Sequence, residues 1–125
     1  MSDSTTNLTQ LRAMVAEFVA ERDWQQFHSP KNLSMALAIE VAELMEHFQW
    51  LTPVESRRLK EDSQSMQPVQ EEIADVLCYT IALANELEID LSDALRKKMV
   101  KNRLKYPAEE YQGRYQKTDD ADESQ

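Results

Sequence analysis

A chain of 125 residues with a single glycine, Gly113, has little with which to turn a sheet. Tight hairpins draw on glycine for positive φ, and helix-to-strand junctions favour it at the helix end. The chain therefore predicts an all-α architecture, and its periodicity supplies four principal helices. In residues 8–24, Leu8, Leu11, Val15, Phe18 and Val19 recur at i, i+3 and i+4. Residues 33–50 repeat the pattern with Leu33, Leu37, Val41, Leu44 and Phe48, and residues 68–88 with Val69, Ile73, Val76, Leu77, Thr80, Ala84 and Leu87. The fourth helix spans residues 90–106 and is stopped by Pro107. Between the second and third, Thr52-Pro53 followed by Glu55 is a helix start, so that segment reads as a short helix or a loop.

With 42% hydrophobic residues the chain suits one domain with one core. We divide it into a flexible start at 1–7, a helical domain at 8–107 and an acidic, largely disordered tail at 108–125. The fourth helix has a second feature. Leu91, Ala94, Leu95 and Met99 form one apolar face, whereas Val100 and Leu104 lie on the other side. A helix apolar on two sides has two neighbours, and the second is expected to be another copy of the chain.

The formal net charge of −9 argues against a nucleic-acid backbone or an anionic membrane as partner. No apolar run is long enough to span a bilayer, and the first residues carry no signal-peptide pattern. A lone cysteine, Cys78, cannot close an internal disulfide and fits a reducing, cytoplasmic setting.

The second helix contains an anomaly, because Glu40 lies inside its apolar stripe, between Leu33 and Leu44, with Glu43 on the stripe's edge. Burying an unpaired carboxylate costs several kcal/mol. The third helix repeats the oddity: at 100° per residue Glu72, Asp75 and Tyr79 line up beside Val76, Leu83 and Leu87, while Glu71 and Cys78 point outward. If the two helices pack against each other, four carboxylates converge, and a cation must sit among them. All-oxygen ligands suit a hard ion, Mg²⁺ first and Mn²⁺ as its substitute. A di-iron bundle would need Glu-x-x-His pairs, and neither His28 nor His47 has a glutamate three residues before it.

With E-x-x-E at 40–43 ("EVAE") and E-x-x-D at 72–75 ("EIAD"), the chain resembles the all-α NTP pyrophosphohydrolases of the MazG-like superfamily. The blocks "ERDWQQFHSPKNL", "EVAELMEHFQW", "EEIADVLCYTIALA" and "KMVKNRLKYP" occur in the order of the dCTP pyrophosphatase branch, and the resemblance covers about residues 8–107. It implies a four-helix fold assembled into dimers or tetramers, with Glu40, Glu43, Glu72 and Asp75 as Mg²⁺ ligands. It also implies that Trp24, Gln25, Gln26, Phe27 and His28 line the nucleotide site, that Trp50 and Tyr79 contact base or sugar, and that Lys98 and Asn102 reach the phosphates. The mammalian-type members carry a histidine where this chain has Val15, a departure that bears on base preference.

The residues themselves agree. Lys98 and Asn102 are i, i+4 on the stripe of Leu91, Leu95 and Met99, and a lysine there wants an anion. Trp24 and Trp50 stand at helix ends, where indoles can stack on a base. The expected reaction is hydrolysis of a nucleoside triphosphate, dCTP or a modified dCTP, to monophosphate and pyrophosphate, with Glu40 or Glu43 as proton acceptor. Two rivals remain at this level: the same fold acting on another nucleotide such as dUTP, and a non-enzymatic acidic helical module that binds a partner protein.

Overall fold

The computed structural model describes residues 1–114, and every regular element among them is helical. In order these are α1 (Leu8–Glu21), a 3₁₀ turn (Gln25–Phe27), α2 (Pro30–Glu46), α3 (Pro53–Arg58), a second 3₁₀ turn (Leu59–Glu61), α4 (Ser63–Glu86), α5 (Leu91–Lys105) and α6 (Ala108–Tyr111). The chain divides into two units, residues 1–89 and residues 90–125. No helix among the described residues is long and apolar enough to cross a membrane.

In the first unit α4 is the central element, packed against α2 and α1. The buried apolar side chains are Val19 from α1, Leu33 from α2, and Val69, Ile81, Ala82 and Ala84 from α4. The starts of the helices follow their caps. Asn7 and Gln10 form a capping box for α1, and Thr52 and Glu55 form one for α3 as the sequence predicts. Ser29 caps α2 with Pro30 at its first position, so this helix begins three residues before the expected Leu33. It also ends at Glu46 instead of running to Trp50, because His47 and Phe48 turn back onto Leu44 and Met45 through tighter i→i−3 bonds.

The largest difference lies in α4, which starts at Ser63 and not at Pro68. The Asp62 side chain accepts from Gln64 N–H and from the Ser65 hydroxyl, which fixes the first turn early enough to carry Pro68 inside the helix. The proline forgoes one i→i−4 bond there.

With one glycine, two helix ends recruit acidic residues into the left-handed region. After α1, Asp23 has φ 52°, the Asp23 N–H reaches Ala20 C=O at 3.1 Å and the Trp24 N–H reaches Val19 C=O at 3.1 Å. After α4, Glu88 has φ 55°, with Glu88 N–H on Asn85 C=O at 3.3 Å and Ile89 N–H on Ala84 C=O at 2.9 Å. Both are Schellman closures, where glycine is the ordinary occupant. An L-residue in this conformation costs roughly 1–2 kcal/mol, and glycine returns part of the gain as chain entropy when unfolded. Glu88→Gly is thus expected to stabilise the protein by about 0.5–1 kcal/mol. A thermal melt should read this as a rise of a few degrees.

The closure after α4 is tied to α1. Arg12 Nε donates to Asn85 Oδ1 at 2.9 Å, Arg12 Nη1 donates to Ile89 C=O, and Asn85 Nδ2 donates back to Arg12 C=O at 3.2 Å. This joins the first half of α1 to the C-terminal end of α4.

The second unit contains α5 and α6. α5 starts from Asp90, whose side chain accepts from Asp93 N–H, and it carries an i, i+4 ion pair between Asp93 and Lys97 at 2.8 Å. The expected inward stripe of Leu91, Leu95 and Met99 is not buried: Leu95 is 64% exposed, and Leu104 on the other face is 77% exposed. α6 was not expected, since 108–114 were assigned to the tail. Its four residues are closed by the Tyr106–Tyr111 edge-to-face pair at 5.2 Å. The expectation of disorder for 115–125 lies outside the described residues.

Candidate active site

α2 and α4 bring three of the four predicted carboxylates together. One carboxylate oxygen from each of Glu40, Glu43 and Glu72 lies within 4.8 Å of the others, and all three residues are half-buried. Glu40 Oε2 and Glu72 Oε2 are closed off from solvent without a hydrogen-bond partner. Carboxylates only accept, so two of them can share a hydrogen bond only when one is protonated. Burial, reinforced by contact with Glu72 and Glu43, accordingly raises the Glu40 carboxyl to about 7. Asp75, the fourth predicted ligand, is exposed and outside this triplet, although its charge also raises Glu40.

Two orphaned carboxylate oxygens in a half-buried acidic cluster fit a hard divalent cation. An octahedral Mg²⁺ shell spans about 4.2 Å across, close to the spread of these oxygens. Glu40, Glu43 and Glu72, with Asp75 alongside, are the residues that would hold it.

Beside the cluster, α1 and α4 enclose a cavity of about 550 Å³. Leu11, Val15 and Phe18 line it from α1, and Asp75, Cys78 and Tyr79 from α4. Trp24 and His28, on the turn after α1, complete the wall. The volume is that of a small-molecule site, largely apolar with few polar groups. Asp75 and Tyr79 connect the two regions. Both line the cavity, and the Tyr79 hydroxyl is pushed up by burial and then by the charge of Glu40. The phenol therefore stays protonated at neutral pH.

The turn that carries Trp24 and His28 is held locally. Trp24 meets Phe18 edge-on at 5.7 Å and His28 at 6.4 Å. Gln25 and His28 also line a smaller adjoining cavity of about 110 Å³ with Asn85 and Glu86. Other predicted binders do not line either cavity. Gln26 turns back to Asp23 C=O at 3.0 Å, and Phe27 is 60% exposed. Trp50 is 86% exposed beyond the end of α2. Lys98 and Asn102 stand on α5 in the second unit, where Asn102 Nδ2 contacts Met99 Sδ at 3.8 Å.

Cys78 requires a correction. The sequence reading placed it on the outer face, yet it lines the cavity three residues after Asp75. The signal was present: i+3 and i+4 from Asp75 reach Cys78 and Tyr79, which flank one line on the helix. Burial, then the Asp75 charge, raises its thiol, which keeps it a neutral wall group and not a nucleophile. Leu11, Val15 and Phe18, which carry the helical periodicity of α1, are cavity lining.

Comparison with known proteins identifies the family of the chain. Residues 35–120 match the model of the MazG-like family. The human protein dCTP pyrophosphatase 1 is 48% identical over 101 residues, covering 81% of this chain and 59% of that protein. The bovine protein of the same name is 44% identical over 104 residues, covering 83% and 62%. The chain thus spans about three-fifths of the length of these curated relatives. A crystal structure of a pyrophosphatase from Archaeoglobus fulgidus superposes with a TM-score of 0.74 at 39% identity, covering 86% of this chain and 98% of that one. This chain therefore belongs to the MazG-like family, and by sequence it groups there with the dCTP pyrophosphatases.

Proposed function

We propose that this protein is a Mg²⁺-dependent nucleoside triphosphate pyrophosphohydrolase that converts dCTP, or a modified dCTP, to the monophosphate and pyrophosphate and so cleans the nucleotide pool of the cytoplasm. The observation that carries this reading is the juxtaposition of two orphaned, buried carboxylate oxygens with an aromatic-walled cavity of small-molecule size. A purely structural acidic edge would leave its carboxylates in water, and a binding module would need no such oxygens beside a cavity.

In the reaction, the oxygen of a water forms a bond to the α-phosphorus, and the bond from that phosphorus to the α–β bridging oxygen breaks. Pyrophosphate departs with the bridging oxygen. Bound Mg²⁺ supplies charge neutralisation at the phosphates and lowers the pKa of water. Glu40, Glu43, Glu72 and Asp75 form its acidic cradle, and Glu40 or Glu43 accepts the proton of the attacking water. Trp24, His28 and Tyr79 receive base and sugar, with the protonated Tyr79 hydroxyl available as donor. Gln25, Gln26, Phe27 and Trp50 keep the binding roles the resemblance implies. So do Lys98 and Asn102 on α5, whose ammonium and amide are groups suited to phosphate.

The apolar side chains left exposed, among them Ile39, Ile73, Leu95 and Leu104, support assembly as a homodimer or homotetramer. Size-exclusion chromatography with light scattering should return one of those masses.

A panel of nucleoside triphosphates, assayed for pyrophosphate release with and without Mg²⁺, tests the function. We expect dCTP and base-modified dCTP to turn over fastest, with release abolished by EDTA. Faster cleavage of dUTP would keep the chemistry and change the base. No release from any nucleotide would leave the acidic interaction module. Val15, in the wall where mammalian-type members carry a histidine, makes the base the point at which this chain can depart from them.

A further inference from the structure

Arg22 lies just past the end of α1 and takes no part in the site as described so far. Its guanidinium carbon stands 3.8 Å from the centroid of the Phe18 ring and 6.0 Å from that of Trp24. Its Nη1 also donates to Phe18 C=O at 3.1 Å. A cap on the helix end would need only this last bond. The guanidinium does more, because it covers the ring that meets Trp24 edge-on and thereby joins Phe18 and Trp24 under one cation. Both rings line the large cavity, and both remain more than 40% exposed, unlike aromatics that fill a core.

Local backbone geometry points the same way. Asp23, between Arg22 and Trp24, is held at φ 52°, and this turn returns Trp24 onto Phe18. Among the described residues, the carboxylate that pairs with Arg22 is that of Glu21 at 3.4 Å, a neighbour with both side chains well exposed, which fixes little. The ring stack is the stronger partner, since a cation over an aromatic face is attracted by the ring quadrupole.

We propose that Arg22 is a positioning residue for the substrate base: it clamps Phe18 and Trp24 into the aromatic wall that the base stacks against, without touching the reacting atoms. This rests on the pyrophosphohydrolase reading above. Its consequence is a split between the two halves of the substrate. Loss of Arg22 loosens the wall and weakens the base end, while the acidic cluster on α2 and α4 and its hold on the phosphates are untouched.

The test is calorimetric titration of wild type, Arg22→Ala and Arg22→Lys with dCMP and, separately, with pyrophosphate in the presence of Mg²⁺, alongside steady-state kinetics on dCTP. Arg22→Ala is expected to weaken dCMP about tenfold and raise KM by a similar factor, with kcat and pyrophosphate affinity within twofold of wild type. Arg22→Lys, which keeps a cation but not the planar stack, should recover part of the dCMP affinity. Equal losses for dCMP and pyrophosphate would reduce Arg22 to a structural cap, and no loss for either would remove it from the site; both overturn the proposal. Should Arg22→Ala fail to fold, as circular dichroism would report, Arg22→Gln carries the same comparison. If wild type itself releases no pyrophosphate from any nucleotide, the functional reading fails first, an outcome distinct from either of these.

Discussion

Glu40→Gln is expected to lower pyrophosphate release by about a thousandfold or more while raising the Tm of the metal-free protein. The two effects share one cause. Glu40 Oε2 is buried without a donor beside Glu43 and Glu72, so in the absence of a cation the cluster repels itself. An amide removes the charge and can donate to a neighbouring carboxylate, which relieves that repulsion. The same change removes a candidate ligand and a candidate base, which is why activity is expected to fall. Differential scanning fluorimetry in EDTA and then in Mg²⁺ reads both sides. Wild type should gain Tm on adding Mg²⁺ through selective binding to the folded state, and the variant should gain much less. A variant that melts lower than wild type in EDTA, or still turns over dCTP, would contradict the convergence of these acids.

The second large expectation concerns pH. In the folded, chelated protein the Glu40 carboxyl sits near 7, raised from an ordinary 4.5 by burial first and by Glu72 and Glu43 next. Between those values the folded state holds a proton that the unfolded chain has released. Stability must therefore fall as pH rises from about 4.5 to 7, because the slope follows the difference in bound protons. Below 4.5 both states are protonated and Glu40 contributes no penalty. Glu55, lowered by the Thr52 N–H, and Asp62, lowered first by the Ser65 hydroxyl, act in the opposite sense, but only as pH falls toward and below the ordinary carboxylate range. The window from about 4.5 to 7 thus belongs to Glu40. Melts in EDTA should be higher at pH 5.5 than at pH 8, and Glu40→Gln should flatten that slope. A wild-type slope of the opposite sign, or one unchanged by the substitution, would place the charge elsewhere.

The single glycine and the four amphipathic periods were enough to read an all-α chain, and E-x-x-E with E-x-x-D drew attention to Glu40, Glu43 and Glu72, which converge, and to Asp75, which stays exposed. These features are legible because they depend on local periodicity: residues three and four apart share a helix face whatever the helix packs against. Capping chemistry was only partly legible. Thr52 and Glu55 announced α3, but Asp62 started α4 five residues ahead of Pro68, and Asp23 and Glu88 took left-handed positions that their side chains do not advertise.

Tertiary structure decided what each apolar face meets. Leu11, Val15 and Phe18 carry the same periodicity as core residues, yet they face an open cavity because α1 does not close fully onto α4. Cys78 moved from the outer face to the cavity wall for the same reason. Leu95 and Leu104 on α5 stayed exposed, which no helical wheel could state. The sequence by itself determined which residues share a face and that Glu40 was misplaced for a core. Only packing decided that its buried oxygen has no donor, and that Phe18 and Trp24 share a cavity wall with Arg22 over the Phe18 ring, because such contacts depend on distances that periodicity does not contain.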